Sequence, residues 1–126
     1  MSDGKKVLII EDDKSLREIL SAKLSEAGLS TVPASDGEEG LNLALKGKPS
    51  LILLDLQLPR LSGRRLLQRL RADKRGKSIP VIVLTNEGNP LVMQQTADLA
   101  APAYFVQAET SLSEILEAVN YHLSLA

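Results

Sequence analysis

Three four-residue runs contain only aliphatic side chains: Val7-Leu8-Ile9-Ile10, Leu51-Ile52-Leu53-Leu54 and Val81-Ile82-Val83-Leu84. None alternates with polar residues, so both faces of each segment need an apolar neighbour. Runs of this length suit strands of a parallel sheet covered by helices on both sides. Weaker strand candidates lie at residues 29–33 and 103–106. Between the runs, apolar residues recur at helical spacing. Leu16, Ile19, Leu20, Leu24 and Ala27 share one face, with Ser15 and Glu18 as a capping box and Gly28 as the stop. Ser35 and Glu38 repeat the capping signal ahead of Leu41, Ala44 and Leu45. Leu66, Leu67 and Leu70 follow Gly63. Asn89-Pro90 opens a helix reaching about residue 99. Ser111 and Glu114 cap a last helix whose face is Leu112, Ile115, Leu116, Val119 and Leu123. Strand then helix, five times over, predicts an α/β fold with a central parallel sheet. The 126 residues suffice for one domain with its own core, expected to span 1–126. No linker, repeat or low-complexity tract interrupts them.

Composition removes several chemistries. With no cysteine there is no disulfide, thiol nucleophile or Cys-based zinc site, and the single histidine, His122, cannot build a histidine cluster. His122 is expected at the surface. No apolar run reaches membrane-spanning length and no signal-peptide pattern opens the chain, so the expected compartment is the cytoplasm and no membrane contact is expected. Three aromatic residues are too few for a base-stacking platform.

The net charge of −1 hides an uneven distribution. Residues 60–77 hold eight Lys/Arg and one Asp, whereas residues 78–126 hold five acids and no Lys or Arg. Arg64, Arg65, Arg71 and Arg75 are candidates for a basic docking patch that steers an acidic partner. The alternative is a solvated outer face. Without aromatic residues or a recognition-helix pattern, DNA is the weaker choice of partner for this domain itself. In the lysine-free third, Met93, Gln94, Gln95 and Thr96 are expected to give a neutral, partly apolar surface.

In an open α/β sheet, function gathers at the carboxyl ends of the strands. Those ends read Glu11-Asp12-Asp13, Asp55, Thr85-Asn86 and Gln107. Crowded carboxylates repel and raise one another's pKa unless a cation intervenes. A hard divalent ion with oxygen ligands answers that need, and Mg²⁺ suits two carboxylates plus open water positions. An aspartate beside such an ion can act as a nucleophile toward phosphorus. The competing reading is that such acids only cap the helices that follow, Asp13 above all.

Taken in order, Leu8-Ile9-Ile10-Glu11-Asp12-Asp13, Leu54-Asp55-Leu56-Gln57-Leu58-Pro59 with Ser62-Gly63, Val83-Leu84-Thr85 and Tyr104 resemble the receiver domain of two-component response regulators. The resemblance implies a five-stranded parallel sheet of order 2-1-3-4-5 with five helices. It also implies phosphorylation on aspartate by a histidine kinase or phosphotransfer protein, with Mg²⁺. By position, Asp55 is the phosphoacceptor. Glu11, Asp12, Asp55 and the Gln57 backbone carbonyl hold the ion. Thr85 and Tyr104 are the switch pair. Gln57 and Glu87 flank the phosphoryl group and tune its hydrolysis. Strand five with helices four and five is the expected face for a protein effector or homodimer. Such a domain is a switch, not a turnover enzyme, catalysing at most its own phosphorylation and dephosphorylation.

Two positions depart from the family pattern. Gln107 replaces a lysine and Ala108 the proline after it. Gln107 keeps a donor without charge, a loss on the order of 1–2 kcal/mol in the phosphorylated state if nothing compensates. Lys14 and Arg60 are candidate substitutes, against a solvated role for each. The Gln107-Ala108 bond is expected trans, with residues 107–111 displaced and the Tyr104 rotamer set by that loop. The alternative reading is a pseudo-receiver, a phosphorylation-independent interaction module. A haloacid-dehalogenase-like phosphohydrolase would need D-x-D after the first strand, and flavodoxin-like nucleotide binding a Ser/Thr/Gly-rich loop after Ile10. Neither occurs.

Overall fold

The computed structural model describes residues 5–125; residues 1–4 and 126, covered by the one-domain reading and the signal-peptide reading, lie outside them. Five strands and five α-helices alternate: β1 (Lys6–Ile10), α1 (Lys14–Glu26), β2 (Ser30–Ala34), α2 (Gly37–Gly47), β3 (Leu51–Leu54), α3 (Gly63–Ala72), β4 (Val81–Thr85), α4 (Pro90–Asp98), β5 (Ala103–Val106) and α5 (Leu112–Ser124), with a 3-10 turn at Gln107–Glu109 before α5. All pairings are parallel, in the order β2-β1-β3-β4-β5. This is the expected flavodoxin-like sheet.

The apolar runs do not alternate because their odd and even members serve different helix layers. Leu8, Ile10, Ile52, Leu54, Val81 and Val83 pack with Ala44 of α2, Leu66, Leu67 and Leu70 of α3, and Val92 of α4. Val7, Ile9, Leu51, Leu53, Ile82 and Leu84 pack with Leu20 and Leu24 of α1 and Ile115, Val119 and Leu123 of α5. Burying each such side chain stabilises the fold by about 1.5–3 kcal/mol. β2 lies at the sheet edge, where Pro33 is tolerated without an N–H. The pairs Ile10–Leu54, Leu54–Val83 and Val83–Tyr104 align the strand exits. The residues that follow therefore emerge on one rim.

Several expectations need correction. Asp13, not Ser15, caps α1, accepting the Leu16 N–H at 3.0 Å. Asp36, not Ser35, caps α2, and Glu39, not Glu38, returns the bond to the Ser35 N–H at 2.8 Å. The Ser111/Glu114 box and the Asn89 cap with Pro90 behind it are as read. Ile19, placed on the core face of α1, is 49% exposed, and Ala27 and Leu112 are also exposed. Thr96, expected on the open face of α4, is buried with its hydroxyl on the Met93 carbonyl. His122 is half-buried, its ring edge-on to Tyr121 at 5.1 Å. No peptide bond among the described residues is cis, so Gln107-Ala108 is trans.

Candidate functional site

Glu11 leaves β1 and Asp55 leaves β3, and both are almost completely buried, whereas Asp12 is exposed. One oxygen from each of the three carboxylates lies within 4.8 Å of the others. The backbone fixes these positions. The Asp55 N–H donates to the Ile10 carbonyl at 3.0 Å and the Glu11 N–H to the Ala34 carbonyl at 3.0 Å. Gly63 brings the start of α3 against the turn after Asp55. A Cβ there would stand 2.4 Å from the Asp55 carbonyl oxygen and 2.6 Å from the Leu56 Cα, an approach only glycine permits.

Hydrogen bonds orient the carboxylates. Asp55 Oδ1 accepts the Gln57 N–H at 3.2 Å. Glu11 Oε2 accepts the Asp13 N–H at 3.1 Å, and Glu11 Oε1 accepts the Gln107 side-chain amide at 3.1 Å. Burial pushes the Glu11 carboxyl up to about 8, the Asp55 charge adds to the rise, and the Asp13 N–H opposes it. Arg17 was not singled out by sequence pattern. Its guanidinium donates to the Glu11 backbone carbonyl at 2.7 Å and so braces the chain without neutralising the carboxylate. Position 17 reads as an ordinary outer helix residue, so nothing in the sequence marks that contact.

Thr85 is fully buried at the end of β4, and its hydroxyl oxygen accepts the Glu87 N–H at 3.4 Å. The Tyr104 hydroxyl donates to the Glu87 carbonyl. Tyr104 is thus held by the loop between β4 and α4, a correction to the expectation that residues 107–111 set its rotamer. Burial, followed by the Glu87 charge, raises the Tyr104 pKa.

The two candidate substitute cations do not reach the acids. Arg60 pairs with Asp36 at 3.6 Å, and Lys14 is exposed at the start of α1. Among the described residues, no Lys or Arg forms an ion pair with Glu11, Asp12 or Asp55. An all-oxygen, anionic donor set with one side open to water fits a hard divalent ion such as Mg²⁺.

The basic patch is smaller than expected. Arg71 is half-buried, and its guanidinium donates to the carbonyls of Leu99, Gly76, Lys77, Ile79 and Ala100. These oxygens cluster at the exit of α3 and the end of α4, where helix ends leave carbonyls without partners. Arg75 lies beyond α3 and pairs with Asp73 at 3.0 Å. Arg64 donates to Gln95 at 3.1 Å, and Arg65 is exposed. Arg64 and Arg65, with Ser62, Gln68, Gln95 and Asp98, line a polar groove of about 580 Å³ between α3 and α4.

Known proteins share this arrangement. The family described as the response regulator receiver domain matches residues 7–120. Sporulation initiation phosphotransferase F of Bacillus subtilis is 30% identical over 97% of this chain and 96% of its own. The DNA-binding dual master transcriptional regulator RpaA of Synechocystis is 39% identical over 81% of this chain but 42% of its own, so the chain spans about two fifths of such regulators. The Francisella response regulator 1452 receiver domain superposes with a TM-score of 0.88 at 29% identity, covering 97% of this chain and 98% of that one. No described helix is long and apolar enough to cross a membrane. Strand order, acidic rim and sequence likeness over nearly the full chain agree: it belongs to the response regulator receiver domain family.

Proposed function

We propose that this domain is a phosphoacceptor switch that takes a phosphoryl group on Asp55 from a histidine kinase or a phosphotransfer protein. A carboxylate oxygen of Asp55 attacks phosphorus as the P–N bond to the donor imidazole breaks, and the imidazole nitrogen keeps the electron pair and takes a proton. Glu11, Asp12, Asp55 and the Gln57 carbonyl would hold Mg²⁺, whose charge offsets that of the transferring oxygens. The Gln107 amide, which already meets Glu11, and the Thr85 hydroxyl at the end of β4 are neutral donors this reading assigns to the phosphoryl oxygens, and Gln57 and Glu87 are the positions it assigns to flank them. The convergence of three carboxylate oxygens within 4.8 Å, with Asp55 at the end of the central strand, carries this reading. Partner surfaces are assigned by the same reading: a protein effector or a second copy on the face of β5, α4 and α5, and no DNA contact by this domain itself. The matched relatives include both a phosphotransferase of nearly the same length and longer transcriptional regulators.

Treatment with acetyl phosphate and Mg²⁺, followed by intact mass, is expected to add one phosphoryl group to the protein and none to Asp55→Asn. The same addition in Asp55→Asn would displace the assignment. One observation favours the second reading, a pseudo-receiver: the side chain that meets Glu11 from the β5 exit is a neutral amide, not a cation. Under that reading the protein gains no phosphoryl mass and binds no beryllofluoride, with Mg²⁺ or without.

A further inference from the structure

Both oxygens of the Glu11 carboxylate are engaged: Oε2 by the Asp13 N–H and Oε1 by the Gln107 amide. Gln107 is also the first residue of the 3-10 turn that carries the chain from β5 to α5. That turn is short and self-closed, with the Thr110 hydroxyl on the Val106 carbonyl at 2.7 Å and the Thr110 N–H on the Gln107 carbonyl at 3.3 Å. Ser111, two residues past the turn, caps α5. A single neutral side chain therefore ties the acidic rim to the start of the last helix. A primary amide carries donors on its nitrogen and an acceptor on its oxygen, so a half-turn of the group exchanges one for the other. Ammonium and guanidinium groups have no acceptor to turn. In the metal-free structure the N–H end faces Glu11 Oε1 at 3.1 Å. A divalent cation on Glu11 inverts the local field, and the carbonyl end then faces the ion or its bound water.

We infer that Gln107 is a positioning residue that reads metal occupancy. Its amide donates to Glu11 when the acidic cluster is metal-free. It turns its carbonyl toward the hydrated ion when the cluster is filled, and residues 107–111 move with it. No phosphoryl group is needed. The inference rests on the metal-binding half of the reading above and is independent of the acceptor chemistry. Its neutrality has a second consequence: the carboxylate charge is left for the ion. A lysine at this position would set a fixed cation beside the site and weaken Mg²⁺ binding roughly tenfold.

The test is an NMR titration of isotope-labelled protein with MgCl₂, without phosphodonor, against NaCl at equal ionic strength. The Gln107 side-chain amide and the backbone amides of residues 107–111 are followed beside those of 11–13 and 55–57. Both groups are expected to shift with one midpoint. In Gln107→Ala the rim amides still shift while those of 108–111 stay still, and in Gln107→Lys the midpoint rises roughly tenfold. A wild-type rim response with a silent 107–111 segment overturns the toggle and leaves the metal reading standing. A response of 108–111 that survives in Gln107→Ala, or an unchanged midpoint in Gln107→Lys, also overturns it. Silence of every amide overturns the toggle and the metal reading together.

Discussion

Burial of the Glu11 side chain, opposed by the Asp13 N–H and reinforced by the Asp55 charge, lifts its pKa from 4.5 to about 8 in the metal-free fold. Over that interval the folded chain carries a proton that the unfolded chain has released. Stability falls with rising pH wherever the native state binds more protons. The contribution of Glu11 is therefore complete below pH 4.5 and is lost as pH climbs through about 8. Glu114 and Asp73 are held below their ordinary values, so their opposite contribution is already in place before this window opens. Chelator-treated protein is expected to lose Tm steadily from about pH 5 to about pH 8, and Glu11→Gln to flatten that slope. A wild-type Tm that rises across the interval would refute it. Glu11, Asp12, Asp55, Thr85 and Gln107 were legible as a group because residues leaving parallel strands share a rim. The bond from Tyr104 to Glu87 was not, since it spans 17 positions and depends on how β4 and β5 pair.

Helix starts were harder to read than helices. Ser15 and Ser35 each offered a capping pattern, but aspartates at 13 and 36 took the caps. An aspartate and a serine within two residues of one another both offer a cap, each to the N–H groups two or three residues on, and residue type alone does not rank them. Ser111 had no such rival, and its box formed as read. The arginines of α3 illustrate a second limit. Charge spacing marks a basic stretch, yet it cannot show which guanidinium meets the spare carbonyls of a distant helix end. Arg71 does so for α4, five residues beyond which β5 begins. Arg71→Ala removes the shared donor from these partly buried carbonyls and is expected to destabilise the fold by about 1–3 kcal/mol, read from urea midpoints. Arg65→Ala, on the exposed side of the same helix, is the control expected within about 0.5 kcal/mol of wild type. Equal loss in both would remove the special role of Arg71. The neighbouring Ala100 ends the α4 cap at φ 59, a left-handed conformation that costs a Cβ-bearing residue about 1–2 kcal/mol. Ala100→Gly is expected to raise stability by about 0.5–1 kcal/mol once the extra freedom of glycine in the unfolded chain is subtracted. A destabilised Ala100→Gly would show that the cap is not strained.

The sheet divides the molecule into two layers, with basic α3 on the side of α2 and α4 and acid-bearing α5 on the side of α1. The carboxylate cluster belongs to neither layer. It sits on the rim where β1 and β3 end, and burying Glu11 beside Asp55 is a standing cost of the metal-free fold, expressed in the raised Glu11 pKa. A ligand that binds only the folded state returns stability through mass action, about 1.4 kcal/mol at ten times its dissociation constant. For a domain of this size that is a Tm increase of about 3–6 °C. Mg²⁺ is expected to produce it, and Asp12→Asn to abolish it. Asp12 is the informative position because it is exposed, so its substitution removes a ligand without opening the core. NaCl at matched ionic strength separates binding from screening, which weakens exposed charge pairs and reaches buried ones far less. The measurement is a set of thermal melts at one pH, wild type and variant, with each salt. An equal shift in NaCl would assign the effect to screening, and an undiminished Mg²⁺ shift in Asp12→Asn would place the ion elsewhere than on this rim.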